Sequence, residues 1–202
     1  MKPFLNCLLL FAAMLSNTIS SAQETASLIT EDDYNRIIPF LIKEDWKETE
    51  KISREFLNRF KGADEMSDDA GIIRYMYLTS VSGLLGNKEI DKDQALKKLK
   101  GFEGKNIITP YNQFKKGGMF NYLSLDEEGK NWLKCSANDK ATVIYAFETF
   151  EMADQDMVTN YQQFEGKNIR VSAIIKSIGA SGYTMPRLDI RCTNTDIWDM
   201  EE

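Results

Sequence analysis

Two cysteines offer the first candidate chemistry. Cys135 follows Lys134 and Cys192 follows Arg191, and an adjacent cation favours the thiolate that a nucleophile needs. The chain has no histidine, so no imidazole is present to activate such a thiol or to ligate a metal. The same pair can instead close a disulfide, Cys135 to Cys192, or remain as two buried thiols. An acidic run is the second candidate: Glu148, Glu151, Asp154 and Asp156. Carboxylate pairs ~5–10 Å apart hydrolyse glycosides, and calcium takes several carboxylates. Acids on alternate residues are also the pattern of a strand with one wet face, and neither a calcium-loop motif nor a second matching pair accompanies them. The third candidate is aromatic. Tyr111, Phe114, Phe120, Tyr122 and Trp132 cluster around the adjacent cations Lys115 and Lys116. Rings that stay outside a core stack on sugars, bases or partner side chains. The expected ligand surface is therefore Tyr111, Phe114, Lys115, Lys116 and Trp132, with no catalytic residue, no metal and no cofactor.

The segments that must position these residues are organised around a hexapeptide that occurs twice. Phe102-Glu103-Gly104-Lys105-Asn106-Ile107 returns unchanged as Phe164-Glu165-Gly166-Lys167-Asn168-Ile169. At the same offset, Leu96 falls on Val158 and Leu99 on Tyr161, giving apolar rows at spacing three that suit a short helix entering a turn. Downstream, Lys134-Cys135-Ser136 resembles Arg191-Cys192-Thr193 at a shorter offset. The pattern reads as a duplicated helix–turn–strand unit, with copies at about 92–153 and 154–202. The plainer reading is a good turn sequence used twice, since glycine reaches positive φ and asparagine tolerates it. On that reading Lys105-Asn106 and Lys167-Asn168 are turn residues, not paired ligand sites.

Before Gly101 the hydrophobic period is helical. Thr30 can cap a helix that opens on three acids, and Pro39 either kinks it or starts a new one. Residues 45–61 place Trp46, Ile52, Phe56 and Phe60 broadly on one face. The next segment, capped by Ser67 or Asp68, is apolar all round, which marks a helix buried between others. Its one internal charge is Arg74, expected to snorkel or pair with an acid. Asp91 with Gln94 makes a capping-box start for a helix that ends at Gly101. After Gly104 the period falls to two. Strands are expected at 106–109, 119–125, 132–136, 142–150, 168–178, 188–192 and 195–200, with a short helix at 154–163. In 168–178, Ile169, Val171, Ala173 and Ile175 share one face, and Arg170, Ser172, Ile174 and Lys176 the other.

Composition bounds the rest. With 43% hydrophobic and 28% charged residues among 202, the chain is long and apolar enough to bury a core without staples. Residues 1–22 read as a secretory signal peptide: Lys2, a short apolar run, and small residues at Ser20 and Ala22 before the cleavage site. Its removal leaves 24 basic against 31 acidic side chains, a net charge of −7. Neither half has the basic excess that phosphate neutralisation needs, so no nucleic-acid partner is expected. No membrane span is expected after signal cleavage. The expected location is periplasmic or extracellular.

The stretch from Phe164 to Ile178 is similar to the opening strand of bacterial OB-fold domains of the group likened to tRNA anticodon-binding barrels, in which a Gly-Lys turn leads into an alternating strand. The helical segment weakly resembles tetratricopeptide-type pairs, without their consensus. The resemblance implies an OB-like barrel for binding oligonucleotides, oligosaccharides or proteins. Only about three strands follow the second hexapeptide, where such a barrel has five. The expected fold class is α+β: N-terminal antiparallel helical hairpins at 23–101, then an OB-like antiparallel β region at 102–202 built on an internal duplication. The expected function is an exported, non-enzymatic binding module for a protein or oligosaccharide (glycan) partner. The alternative is a carboxylate-dependent hydrolase of the cell envelope.

Overall fold

The computed structural model describes residues 27–126 and 128–199, so the expected leader at 1–22 lies outside the described residues. Among the described residues four helices come first: α1 (Glu31–Ile42), α2 (Trp46–Leu57), α3 (Asp68–Gly86) and α4 (Lys92–Lys98), with a 3-10 turn at Gly62–Met66. Their starts follow the capping residues. Thr30 and Asp33 form a reciprocal capping box on α1, Asp45 caps α2, Ser67 caps α3, and Asp91 with Gln94 forms a second box on α4. Pro39 sits inside α1 without dividing it. Helix α2 stops before Gly62, and residues 62–66 wind into the 3-10 turn instead.

Seven strands follow: β1 (Asn106–Ile108), β2 (Asn112–Gln113), β3 (Leu123–Leu125), β4 (Trp132–Ala137), β5 (Ile144–Met152), β6 (Asn168–Ser181) and β7 (Arg187–Asp199). A short α5 (Gln155–Thr159) and a 3-10 turn (Tyr161–Phe164) separate β5 from β6. The result is a mixed α+β fold with an open sheet, in the order β1-β6-β7-β5-β4-β3, and β2 also paired with β6. The pair β5–β7 is parallel and the other strand pairs are antiparallel. A parallel pair needs a long return path, which α5 and β6 provide. The two separate strands expected at 188–192 and 195–200 are one strand, β7. The register slips opposite Ser172–Ile174, where Asn194 takes φ 50°, and the ladder resumes. Likewise 179–181 do not turn. They stay in the ladder against Asp189, Leu188 and Arg187, and the reversal falls at Gly182, φ 72°.

Helix α3 joins the two halves. It is buried on all sides, as an all-apolar helix must be. Its Tyr75, Leu78, Val81 and Leu85 share one core with Ile107, Phe150, Val171, Ala173 and Ile190 of the sheet. Its Ile72, Ile73 and Met76 share another with Ile37, Ile52 and Phe56 of α1 and α2. Gly83 is the close-approach point: a Cβ there would lie 2.4 Å from the Trp46 ring. Arg74 does not snorkel, being buried, and forms no ion pair among the described residues. It donates to the backbone carbonyl and Oδ1 of Asn106 and to the Glu65 carbonyl, tying α3 to β1. Burial lowers its pKa to about 10.

The two hexapeptides brace each other's strands. Gly104 N–H donates to the Ile175 carbonyl (2.8 Å) and Ile175 N–H to that of Lys105 (2.9 Å). In the matching places, Gly166 N–H donates to Phe114 (2.9 Å) and Phe114 N–H to Lys167 (2.9 Å). Both glycines are left-handed, φ 80° and 79°. Between them, Thr109 N–H donates to the Val171 carbonyl (2.9 Å), and Val171 N–H to Thr109 Oγ1 (3.0 Å). Residues 109 and 171 stand at the hexapeptide offset of 62, so the bonds repeat in pairs about this point. The relation does not reach the cysteine blocks. Cys135 lies opposite Phe147 on the outer face, whereas Cys192 lies opposite Phe150 in the core.

Candidate functional site

The expected ligand surface does not assemble. Phe114 and Trp132 are fully buried, their ring centroids 4.7 Å apart, and Phe164 stands 5.3 Å from Trp132. They are the aromatic centre of the core that faces α3. Lys116 lies over the ring of Tyr161 and donates to its hydroxyl, while Lys115 lies over Tyr122. Tyr111 is elsewhere, half-buried beside Arg170, whose guanidinium is 6.0 Å from the Tyr111 ring and 5.4 Å from Trp198. Chain proximity suggested a cluster that the strand alternation disperses.

The cysteines are free thiols, so of the two alternatives the disulfide is not formed. β5 lies between their strands, which sets the backbones ~9–10 Å apart at ordinary strand spacing. A bridge needs Cα atoms within about 7 Å and side chains that converge; these point to opposite faces. Burial, foremost, pushes the Cys135 thiol up to about 11 and the Cys192 thiol higher still. Both are poor nucleophiles at neutral pH.

The acids do not converge either. Glu151 pairs outward with Lys176 at 3.0 Å, and Asp154 caps α5. Glu148 is 2% exposed and accepts hydrogen bonds from Tyr75 (3.0 and 3.1 Å) and Ser136 (2.9 Å). Lys134, also buried, donates to the Tyr75 hydroxyl at 2.7 Å. This cluster lies between α3 and the sheet and joins them through Tyr75. Among the described residues no group of His, Cys, Asp or Glu side chains is placed to hold a metal ion. No described helix is long and apolar enough to cross a membrane. Lys105 pairs with Glu65, and Asn106 donates to the carbonyls of Met66 and Ser67. The first copy of that dipeptide is thus spent on holding the 3-10 turn.

A concave surface exists at the tip of the β6–β7 hairpin. Tyr183 is fully exposed there and Met185 is 55% exposed. The tip is fixed by Gly182: a Cβ would meet the Met185 carbonyl oxygen at 2.0 Å, so no other residue fits without moving backbone. Pro186 stiffens the return. Facing it is the turn from α3 to α4. Between the two lies an open groove of about 580 Å³, with Leu85 and Ile90 as apolar lining and Lys88 and Lys92 as cations. At the hairpin base the Arg187 guanidinium covers the ring of Phe147 at 4.6 Å, on the outer sheet face. None of these residues was among those the sequence singled out. Comparisons with protein families, with characterised proteins and with solved structures return no match for this chain.

Proposed function

We propose that this chain is an exported, non-enzymatic binding module that holds a glycan or protein partner at the β6–β7 hairpin tip. The observation that carries the reading is Tyr183. A fully exposed aromatic ring, on a hairpin tip whose close approach requires Gly182 and whose return is restricted by Pro186, stands over the groove. Exposed rings of this kind are anchors for ligands, because they supply contact area at low conformational cost. The chemistry against catalysis is equally local. Glu148 lies in a sealed ion cluster, and both thiols are held protonated.

The strand path supports the OB-like reading. From β3 onward five strands run β3-β4-β5-β7-β6. Phe114, next to β2, bridges to Leu123 at the free side of β3. That is the outline of a five-stranded, partly open Greek-key barrel, whose last hairpin loop is a ligand-binding loop. In this chain that loop is 182–186. The paired hydrogen bonds about Thr109 and Val171 support a duplication of the helix–turn–strand unit alone, ending before the cysteine blocks. Net negative charge disfavours nucleic acid as the partner.

The test is a two-dimensional NMR titration of the protein with a panel of neutral and acidic oligosaccharides, capped peptides and a single-stranded oligonucleotide. The expected result is saturable shifts at residues 85–94 and 182–187 with at least one sugar or peptide, lost in Tyr183→Ala. Turnover of a sugar or peptide substrate that Glu148→Gln abolishes would establish the hydrolase reading in its place.

A further inference from the structure

We propose that the free edge of β6 beside the hairpin tip pairs with the same edge of a second copy of this chain. The inference goes beyond ligand binding at the tip and does not depend on it. The first observation is the hydrogen-bond pattern along β6. Up to Ile175, the edge away from β7 is filled by β2, Thr109 and β1, and by Gly104 and Lys105, which bond the Ile175 carbonyl and N–H. The covering chain then leaves the edge. Phe102 turns in to the Tyr77 ring at 5.5 Å, and Ala95 and Leu99 of α4 join the core against which Ile178 and Ala180 pack. β6 continues to Ser181, paired only with β7. Its register slips between Ile175 and Ser177, so the residues pointing away from β7 change from odd to even. Ile178 N–H shows the new parity: Glu103 Oε1 accepts it at 3.3 Å. By alternation, the Ile178 carbonyl and both backbone groups of Ala180 point the same way. Among the described residues no hydrogen bond closes on these three groups.

The second observation is what the edge lacks. Free edges are ordinarily blunted by charge, by proline or by a covering element. From Ser177 to Met185 no residue is charged, and Pro186 lies on the β7 side of the hairpin. The one charge at this edge is the Glu103 carboxylate at its inner end. It occupies Ile178 N–H and so limits the free ladder to the residues next to the tip.

The chemistry of the edge names the occupant. Backbone donors and acceptors at strand spacing are matched by an extended polypeptide. An antiparallel edge is also its own complement. Centred on Ala180, two copies exchange Ala180 N–H to carbonyl bonds in both directions, which is the self-complementary contact of a two-fold dimer. Ile178 and Ala180 are only half-buried, and the second strand completes their cover. The two hairpins then run antiparallel, so each Tyr183 stands opposite Ser177 of the other copy. Six residues of strand separate the two rings, ~20 Å. A partner with repeated epitopes is thereby held at two tips at once.

The experiment is sedimentation equilibrium of the purified protein from micromolar to millimolar concentration, with amide exchange followed by NMR at both ends of the range. The expected result is a reversible monomer–dimer equilibrium in which exchange of the Ala180 amide slows at least fivefold on concentration. Ala180→Pro removes a donor that β7 does not use, so it weakens the dimer at least tenfold while the melting temperature stays that of the parent. Glu103→Ala frees Ile178 N–H for the second copy and tightens the dimer at least threefold. Tyr183→Ala leaves dimerisation unchanged, whatever it does to ligand binding at the tip. A protein monomeric throughout, a dimer in which the Ala180 amide exchanges as fast as in the monomer, or undiminished dimerisation of a folded Ala180→Pro each overturn the proposal. If Ala180→Pro does not fold, the Ala180 exchange rate in the parent protein decides alone. Protection of Ala180 that appears only with an added peptide, in a protein that stays monomeric, assigns the edge to another chain and also overturns it.

Discussion

Replacing Lys134 by methionine tests what ties α3 to the sheet. Lys134 and Glu148 face each other across β4 and β5, 7% and 2% exposed. Tyr75 of α3 stands between them, accepting from Lys134 at 2.7 Å and donating to Glu148 at 3.0 Å. Methionine keeps most of the volume and removes the charge, so the Glu148 carboxyl is left in the core with only the neutral donors Tyr75 and Ser136. Breaking a buried pair from one side costs about 3–5 kcal/mol. For a chain of this length that is a fall in melting temperature of ~6–20 °C. Removing both charges, as Lys134→Met with Glu148→Leu, avoids the orphaned carboxyl. The double variant is expected to be more stable than the single Lys134→Met, with coupling of at least about 2 kcal/mol. Tyr75→Phe deletes the relay hydroxyl and costs about 2–3 kcal/mol, since hydrogen bonds to charged groups are the strong ones. Urea unfolding followed by circular dichroism gives each value from the midpoint at constant slope. A Lys134→Met cost below about 1 kcal/mol, or strict additivity with Glu148→Leu, would refute the argument that the cluster is a coupled, desolvated unit.

Two further outcomes follow from the same geometry. Asp33 is held by the Arg59 guanidinium (2.7 Å), which lowers its pKa from 3.8 to about 2. A depressed carboxylate contributes stability that is present above its unfolded value and lost as pH falls through the folded one. Acid unfolding between pH 4 and pH 2 should therefore include up to about 2 kcal/mol that is absent in Arg59→Met, read as a flatter stability–pH curve over that window. The cysteines should give the same non-reducing and reducing mass. With its thiol pushed up to about 11 from 9, Cys135 should alkylate on the order of 100-fold slower than an unperturbed thiol at pH 7.5. A mass two units lower without reductant would show that the strands carrying Cys135 and Cys192 are not placed as described.

The helices were legible because capping is local chemistry. Thr30, Ser67 and Asp91 each announce a helix within three residues, and each does cap one; Asp45, not read as a cap, does so too. The faces of β6 were legible for the same reason: alternation is written in adjacent residues, and Ile169, Val171, Ala173 and Ile175 are the buried ones. Strand partners are not local. Nothing in the sequence of β7 states that it inserts between β5 and β6, with one parallel neighbour and one antiparallel. Bulges hide more. The slip opposite Ser172–Ile174 breaks the period of two within β7, so one strand reads as two. Parity then decides the cysteines. Similar tripeptides around Cys135 and Cys192 suggested equivalent places, but the strand register puts one outside and one inside.

The candidate site was missed because aromatic density along the chain was taken as a guide to exposed surface. Phe114 and Trp132 are dense in sequence because they fill one core, and burial is the default fate of large apolar rings. An exposed anchor announces itself by the opposite sign, an apolar residue where the local grammar demands polarity. The segment Gly182-Tyr183-Thr184-Met185-Pro186 is bounded by the two strongest turn residues, yet carries a tyrosine and a methionine inside the turn. A tight hairpin tip has no interior in which to bury them, so both were bound to face solvent once the turn was placed at Gly182 and not at Gly179. Two apolar side chains that go against their local rule, held together at one hairpin tip, are the feature on which the proposed binding site rests.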